Sequence, residues 1–323
     1  MELSKKKITA VIACYKDEQA IPIMYERLTK VFAEIDCEYE IIFVNDGSPD
    51  NTEEVLGVLA KKDTHVVAIT HSRNFSSQNA FMSGMSIATG DAVVLLDGDL
   101  QDPPELIKKF TAKWAEGFDV VYGIRVKREA HLSLRIGYNL FYRLFSKLSY
   151  IKIPRDAGDF SLMDRKVVDI LISMPERDMF IRGMRAWIGF KQTGIPYHRP
   201  ERMFGITTNN LLKNIRWARK GIFSFSYEPL ELVFYLAMIV SSVSLFAIFV
   251  YIYLYFHSPD APRGTSTIVI LILFFSSIQL ISLSIVGEYL GRIFEEVKNR
   301  PKFIIKEILN KPEARTEKKS NDA

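Results

Sequence analysis

Two uncharged stretches near the C-terminal end set the strongest limit on how this chain can fold. From Pro229 to Phe256 the sequence reads PLELVFYLAMIVSSVSLFAIFVYIYLYF, with Glu231 its only charged residue, and from Ser266 to Val286 it reads STIVILILFFSSIQLISLSIV with none. Each is at least as long as the roughly 20 apolar residues that carry a helix across a bilayer. The pattern predicts a transmembrane hairpin over residues 228–290, with spans at about 229–256 and 266–287. Lys213, Arg216, Arg219 and Lys220 precede the first span; Arg292, Lys298, Arg300, Lys302 and Lys306 follow the second; the connecting HSPDAPRGT holds Arg263 beside Asp260. Positive charge gathers on the cytoplasmic side of such segments, so both long ends are expected in the cytoplasm and the hairpin tip outside.

The region before the hairpin has a different rhythm. Between residues 8 and 123, short β-branched runs (ITAVIA, YEIIFVN, HVVAIT, AVVLLD, DVVYG) alternate with helical patterns such as EQAIPIMYERLTKVFAEI. Alternation of this kind predicts an α/β domain with a mostly parallel sheet covered by helices on both faces. Ligands in such sheets bind beyond the carboxyl ends of the strands. Here those ends carry CYKDE, NDGSPDNT, HSRNFSSQN and DGDLQD, all polar. The opening MELSKKKITAVIACYK has a basic start, but its apolar part is short and lacks a small-residue cleavage site, so it reads as a first strand rather than a signal peptide. Residues 1–208 are expected to form the catalytic domain, 209–227 an amphipathic interfacial helix and 291–323 a basic cytoplasmic tail, disordered after Pro312. HLSLRIGYNLFYRLFSKLSY and NLLKNIRWARKGIFSFS interleave aromatic and basic residues; they are read either as helices packed on the sheet or as helices in the headgroup layer, with Tyr138, Tyr142 and Trp217 at the boundary.

VVLLDGDLQDPPE poses the chemical question. Asp97, Asp99 and Asp102 follow a strand that ends in apolar residues, and clustered acids at a buried strand end raise one another's pKa unless a cation sits among them. With the chain turning at Gly98, Asp97 and Asp99 suit a hard divalent ion, magnesium or manganese, whose open positions phosphate oxygens fill. In NDGSPDNTEE, Asp50 and Glu53 fit the capping of a helix, whereas Asp46 fits hydrogen bonding to a base or ribose. The net charge of +4 over 323 residues is too weak to indicate a nucleic-acid partner. The two cysteines, Cys14 and Cys37, argue against a disulfide framework and read as reduced, structural thiols.

VIACYKDEQAIPIMYERL, EIIFVNDGSPDNT, HSRNFSSQNAFMSGMSIATGDAVVLLDGDLQDPPELI, DVVYGIRVKR, DAGDFSLMDRKVVD and SFSYEPL, in this order, resemble the polyprenyl-phosphate transferases of inverting glycosyltransferase family 2. The likeness spans roughly residues 8–290 and is strongest to bactoprenol glucosyltransferases, with similarity to aminoarabinose and dolichol-phosphate mannose enzymes. It implies a glycosyltransferase-A catalytic domain followed by the membrane hairpin. It also implies metal-dependent, inverting transfer of a hexose, glucose from UDP-glucose in the leading reading, onto undecaprenyl phosphate at the cytoplasmic face of a bacterial inner membrane. Another nucleotide sugar, a processive synthase, or a non-catalytic nucleotide-sugar-binding scaffold are the competing readings.

By the resemblance, Tyr15, Glu18 and Asp46 fall where the family holds the donor nucleoside, with Arg125 also on the donor side. Asp97 and Asp99 fall at the metal and sugar diphosphate, with Gln101 in the metal shell. Arg128, Arg135 and Arg202 fall near the acceptor phosphate, where a planar guanidinium suits an oxyanion. Asp156 and Asp159 both lie where relatives position a carboxylate near the attacking oxygen. A phosphate monoester is already largely dianionic at neutral pH, so that acid serves either as a base or to orient the substrate. Membrane lipid, a homo-oligomeric partner, a downstream flippase and a second glycosyltransferase are the partners implied. The loop FGITTNNLL departs from the family's usual basic and aromatic residues at that point.

Overall fold

The computed structural model describes residues 2–126, 157–177, 179–200, 203–204, 226, 228–257 and 264–312. The five expected strands are all present: β1 Lys7–Cys14, β2 Glu38–Asn45, β3 Val66–His71, β4 Ala92–Asp97 and β5 Val120–Arg125. Three more join them: β6 Ala157–Asp164, β7 Gln192–Tyr197 and β8 Ile305–Leu309. The eight strands form one sheet in the order β7-β5-β6-β4-β1-β2-β3-β8. β1 pairs in parallel with β2 and β4, β2 with β3, and β5 with β7; β6 runs antiparallel between β4 and β5, and β8 runs antiparallel along β3. The sheet is therefore mostly parallel, as the alternation predicts, with antiparallel departures at β6 and β8.

Strands buried on both faces need helices above and below. α1 Ala20–Ile35 turns Ala20, Ile21, Met24, Leu28, Val31 and Phe32 to the core, the three-and-four spacing of one helical face. α2 Thr52–Lys62, α3 Ser77–Ile87 and α4 Ile107–Ala115 follow their strands in the same manner. α3 lies so close to β1 that a Cβ on Gly84 would come 2.3 Å from Val11 Cγ1, which is why a glycine stands there. α5 Arg165–Ser173 and α6 Ile181–Ile188 follow β6.

β1 is flanked by β2 on one side and β4 on the other, so the winding of the sheet reverses at β1 and β4. Such a switch point opens a crevice beyond the strand ends. The register sets Ala13 opposite Asp97 and Cys14 opposite Asn45, which brings the ends of β4, β1 and β2 side by side.

A second compact unit holds two long helices, α7 Glu228–His257 and α8 Thr265–Lys298. Both contain segments long and apolar enough to cross a membrane: Glu228–Ala247 with mean hydropathy 2.0 and Phe274–Lys298 with mean hydropathy 1.2. α8 runs well past the span boundary expected from sequence at 287, as one continuous helix into the charged GRIFEEVK segment, where Glu288 and Arg292 pair at 3.5 Å. Nor is the segment after it simply a basic tail. Its IKEIL supplies β8, and Glu53, expected to cap α2, instead forms a 2.7 Å ion pair with Lys306 of that strand. The proposed interfacial helix at 209–227 lies outside the described residues except for Ser226, and Tyr138, Tyr142 and the tail beyond Pro312 lie wholly outside them.

Candidate active site

The polar loops that end β1, β2, β3 and β4 meet at the switch point, and three of them carry backbone strain. Lys16, Ser76 and Leu100 have φ of 64°, 78° and 60°, a region that non-glycine residues seldom occupy. Gly47, at φ 62°, passes so close to the β3 loop that a Cβ would lie 2.4 Å from the Arg73 carbonyl carbon. These loops are locked to one another by side chains. Ser48 Oγ accepts from the Lys16 amide at 2.8 Å, Asp50 accepts from the Glu18 amide at 3.3 Å, and Glu18 accepts from the Asn51 amide at 2.8 Å. Burial pulls the Asp50 carboxyl upward, but hydrogen bonds from Ser48, Thr52 and Glu18 bring it below the usual carboxylate range. Asp50 is thus a structural anchor at the start of α2, as its capping reading anticipates. Tyr15, half-open to solvent, stands at the rim.

Asp46 is buried at the end of β2. Its Oδ1 accepts from the Phe75 amide at 2.8 Å and lies 2.9 Å from His71 Nδ1, while its Oδ2 is buried with no partner. His71 Nε2 and Asn45 Nδ2 are likewise buried without partners. Buried polar atoms are rarely left unpaired unless something else completes them.

At the end of β4, Asp97, Asp99, Asp102 and Asp159 draw together. Burial, then the neighbouring Asp102, Asp99 and Asp159, push the Asp97 carboxyl up to about 8, against the opposing pull of Arg199. The Arg199 guanidinium stands 3.6 Å from Asp97 Oδ2 and 3.9 Å from Asp99 Oδ2, a cation set between the two acids. Two carboxylates this crowded fit a divalent ion by donor type and by charge. Among the described residues no three Asp, Glu, His or Cys side chains converge as a metal cage. An ion between Asp97 and Asp99 would need further ligands from beyond these side chains. Gln101, expected in the metal shell, donates its amide to the Pro200 carbonyl at 3.2 Å.

The third acid of the run has another job. Asp102 is buried, accepts from Tyr197 Oη at 2.6 Å and lies 4.0 Å from Arg125 Nη2; Arg125 Nε in turn donates to Tyr197 Oη at 3.3 Å. Arg125 is thereby fixed at the edge of the acid cluster.

Asp159 stands on β6, facing the same cluster. Its Oδ2 accepts from Gln78 Nε2 at 2.9 Å and Arg182 Nη2 at 3.1 Å; its Oδ1 is buried with no partner. Burial raises this carboxyl, but Arg182, Arg185 and Gln78 outweigh it and hold Asp159 below the usual range, so it is ionised. Gln78 is itself fixed by accepting from the Ile181 amide at 2.9 Å.

The structure thus brings Asp46, Asp97, Asp99, Asp159 and Arg125 to one end of the sheet, with Tyr15, Glu18 and Gln101 in the loops around them. Asp156, Arg128, Arg135 and Arg202 lie outside the described residues. Sequence reasoning missed Arg199, Arg182, Gln78, Tyr197 and His71. Arg199 had a local signal beside Arg202 in the RPER stretch, and His71 and Gln78 lie within the polar HSRNFSSQN strand end, but their partners, like those of Arg182 and Tyr197, become visible only when distant elements meet.

A model described as glycosyl transferase family 2 matches residues 9–171. Among curated relatives, the uncharacterized glycosyltransferase YkcC of Bacillus subtilis (strain 168) is 41% identical over 296 residues, covering 91% of this chain and 92% of that protein. The SfII prophage-derived bactoprenol glucosyl transferase of Shigella flexneri is 40% identical over 303 residues, covering 93% and 97%. A solved glucosyl-3-phosphoglycerate synthase from Mycobacterium tuberculosis, in complex with Mn2+, UDP-glucose and phosphoglyceric acid, has a TM-score of 0.44 at 16% identity, covering 68% of this chain and 79% of that one. The relatives match both the domain that bears the acid cluster and the two long apolar helices, and the chain belongs to glycosyltransferase family 2, with the glycosyltransferase-A domain and glycosyltransferase activity that membership entails.

Proposed function

We propose that the protein transfers glucose from UDP-glucose to undecaprenyl phosphate, with inversion, at the cytoplasmic face of the membrane. The observation that carries this reading is the pairing of Asp97 and Asp99 at the switch point of a chain whose bactoprenol glucosyl transferase relatives match more than nine-tenths of its length. Membrane placement is supported by the two apolar helices. The sheet unit includes the chain on both sides of them, through β8, so if the helices cross a membrane an even number of crossings separates these flanks. That agrees with both flanks on one face, as the basic residues suggest. Transfer there supplies a lipid-linked sugar for cell-surface glycan modification, which a flippase and a second transferase would consume.

Asp97 and Asp99 would hold the divalent ion, magnesium or manganese, which when bound neutralises charge developing on the departing diphosphate. Asp46 offers its free Oδ2 to the donor nucleoside, with Tyr15 and Glu18 at the rim. Arg125 reaches the diphosphate side, and Arg128, Arg135 and Arg202 take the acceptor phosphate. An oxygen of that phosphate bonds to the anomeric carbon from the face opposite the leaving group; the bond to the diphosphate oxygen breaks, and UDP departs with the electron pair. The acceptor is largely dianionic at neutral pH and surrenders no proton. Asp159, ionised and fixed by Gln78 and Arg182, serves through its open Oδ1 to orient the sugar or acceptor, with Asp156 the neighbouring alternative.

The test is to incubate purified protein with polyprenyl phosphate, manganese and radiolabelled UDP-glucose, UDP-galactose, UDP-N-acetylglucosamine or GDP-mannose, and to extract the lipid. Label from UDP-glucose in the organic phase, lost on chelation, is the expected result. Label from a different donor would replace the sugar assignment; none from any donor, with folded protein, would refute the transfer.

A further inference from the structure

The segment just beyond α8 ends against Asp46's partner. The Phe303 ring forms an offset parallel stack with the His71 imidazole, with ring centres 5.6 Å apart and planes 9° from parallel, while Phe75 meets the same imidazole edge-on at 5.7 Å. His71 is held between them and turns Nδ1 to Asp46 Oδ1 at 2.9 Å. The Phe75 amide donates to that same oxygen, so Asp46 is oriented twice through one aromatic cluster and its Oδ2 is left for a ligand.

The strap that carries Phe303 is itself tied down on both sides. Ser72 donates its amide to the Ile304 carbonyl at 3.0 Å, Lys302 donates to the Met174 carbonyl, and β8 then pairs along β3, with a register shift at Thr70/His71. Beyond β8, Asn310 Nδ2 donates to the carbonyls of Ala60 and Val66. Fixing an edge strand needs none of these rings. A parallel ring beside a fully buried histidine whose Nδ1 edge meets an acid is, by contrast, an arrangement that sets direction.

We infer that Phe303 is a positioning residue for donor binding, acting through the His71 imidazole to aim the Asp46 carboxylate at the nucleoside. The inference rests on the reading of Asp46 as the nucleoside-facing acid. The C-terminal strap thereby belongs to the nucleotide subsite, although it is separated in sequence from every donor motif by the two apolar helices.

The test measures UDP binding, with manganese present, to the full chain by calorimetry, alongside donor and acceptor KM. Aromatic stacking energies imply that Phe303→Leu weakens UDP by about fivefold. Donor KM should rise in step, with kcat and acceptor KM within about twofold, and Phe303→Tyr should restore affinity. A rise in acceptor KM equal to that of the donor would mark a general loss of structure and overturn the inference. So would unchanged UDP affinity in Phe303→Leu while Asp46→Asn weakens it. If Asp46→Asn itself leaves UDP binding intact, the nucleoside reading fails and the inference with it. Should Phe303→Leu not fold, His71→Gln, which removes the stacked plane but keeps a donor for Asp46, carries the same test. A comparable loss of UDP affinity would support the inference, and unchanged affinity would overturn it.

Discussion

The two ends of the sheet handle buried charge in opposite ways. At the amino end, Glu40 on β2 is almost fully buried and both its oxygens are engaged: Oε1 by Thr89 Oγ1 at 3.0 Å and Lys7 Nζ at 3.5 Å, Oε2 by Thr9 Oγ1 at 2.8 Å and the Thr89 amide at 3.1 Å. At the carboxyl end, Asp46 and Asp159 each keep one buried oxygen without a partner, and Asp97 is crowded by three other acids. A carboxylate whose bonds close within the protein stabilises the fold; one left open has a binding site's electrostatics. The difference lies in partners rather than in burial.

The largest expected effect concerns the open end. Asp97→Asn or Asp99→Asn should lower transfer by on the order of 100- to 1000-fold, the scale for removing an electrostatic group from a polar transition state. The melting temperature should stay level, because asparagine keeps the side chain's shape and the acid cluster loses a member whose anionic form crowding already disfavours. A melt that collapses in step with activity would erase the contrast with Glu40. At the closed end, Glu40→Ala should cost about 3 kcal/mol of stability, since it strands Lys7, Thr9 and Thr89 around a vacated charge. Chemical denaturation measures this cost, and UDP affinity well below the midpoint should be unchanged.

A sharper test uses a closed group at the open end. Tyr197→Phe removes the hydroxyl that donates to Asp102, leaving a buried acceptor short of a bond and costing about 1–3 kcal/mol. If partners rather than location decide, the loss appears mainly in stability, as with Glu40. The last effect is a pH trend, muted because the Asp97 side chain is about a third open to solvent. Burial and the neighbouring acids push the Asp97 carboxyl from its ordinary 3.8 up to about 8, so the folded state should hold this proton more tightly than the unfolded chain and metal-free stability should fall as pH rises through that interval. Manganese competes with the same proton, so its stabilising thermal shift should grow as pH rises within the interval and level off above about 8. A shift independent of pH would remove Asp97 from the ion's ligands.

The same division explains what could be read in advance. β1 to β4 are continuous apolar runs because both their faces are covered, and such runs stand out in sequence; β5 showed in the same way through VVYG. The unanticipated strands include both sheet edges. β7, QTGIPY, contains glycine and proline, which an edge tolerates and a central strand does not; β8, IKEIL, is short and carries two adjacent charges inside a basic segment. β6 sat in a stretch read for its acids, so its pairing between β4 and β5 was invisible. At the site, Asp97 and Asp99 were legible because two acids after an apolar strand are chemically odd. Gln78, Arg182 and His71 were not: their significance comes from meeting Asp159 or Asp46 across the fold, and no local spacing records such a meeting.

The place of β8 has a consequence for biogenesis. A ribosome makes this strand only after both apolar helices, so throughout their synthesis β3 lacks its last neighbour and the aromatic lid over His71 is missing. The sheet therefore stays unfinished along β3 until both long helices have been made, and completion of this edge waits for the last strand to emerge.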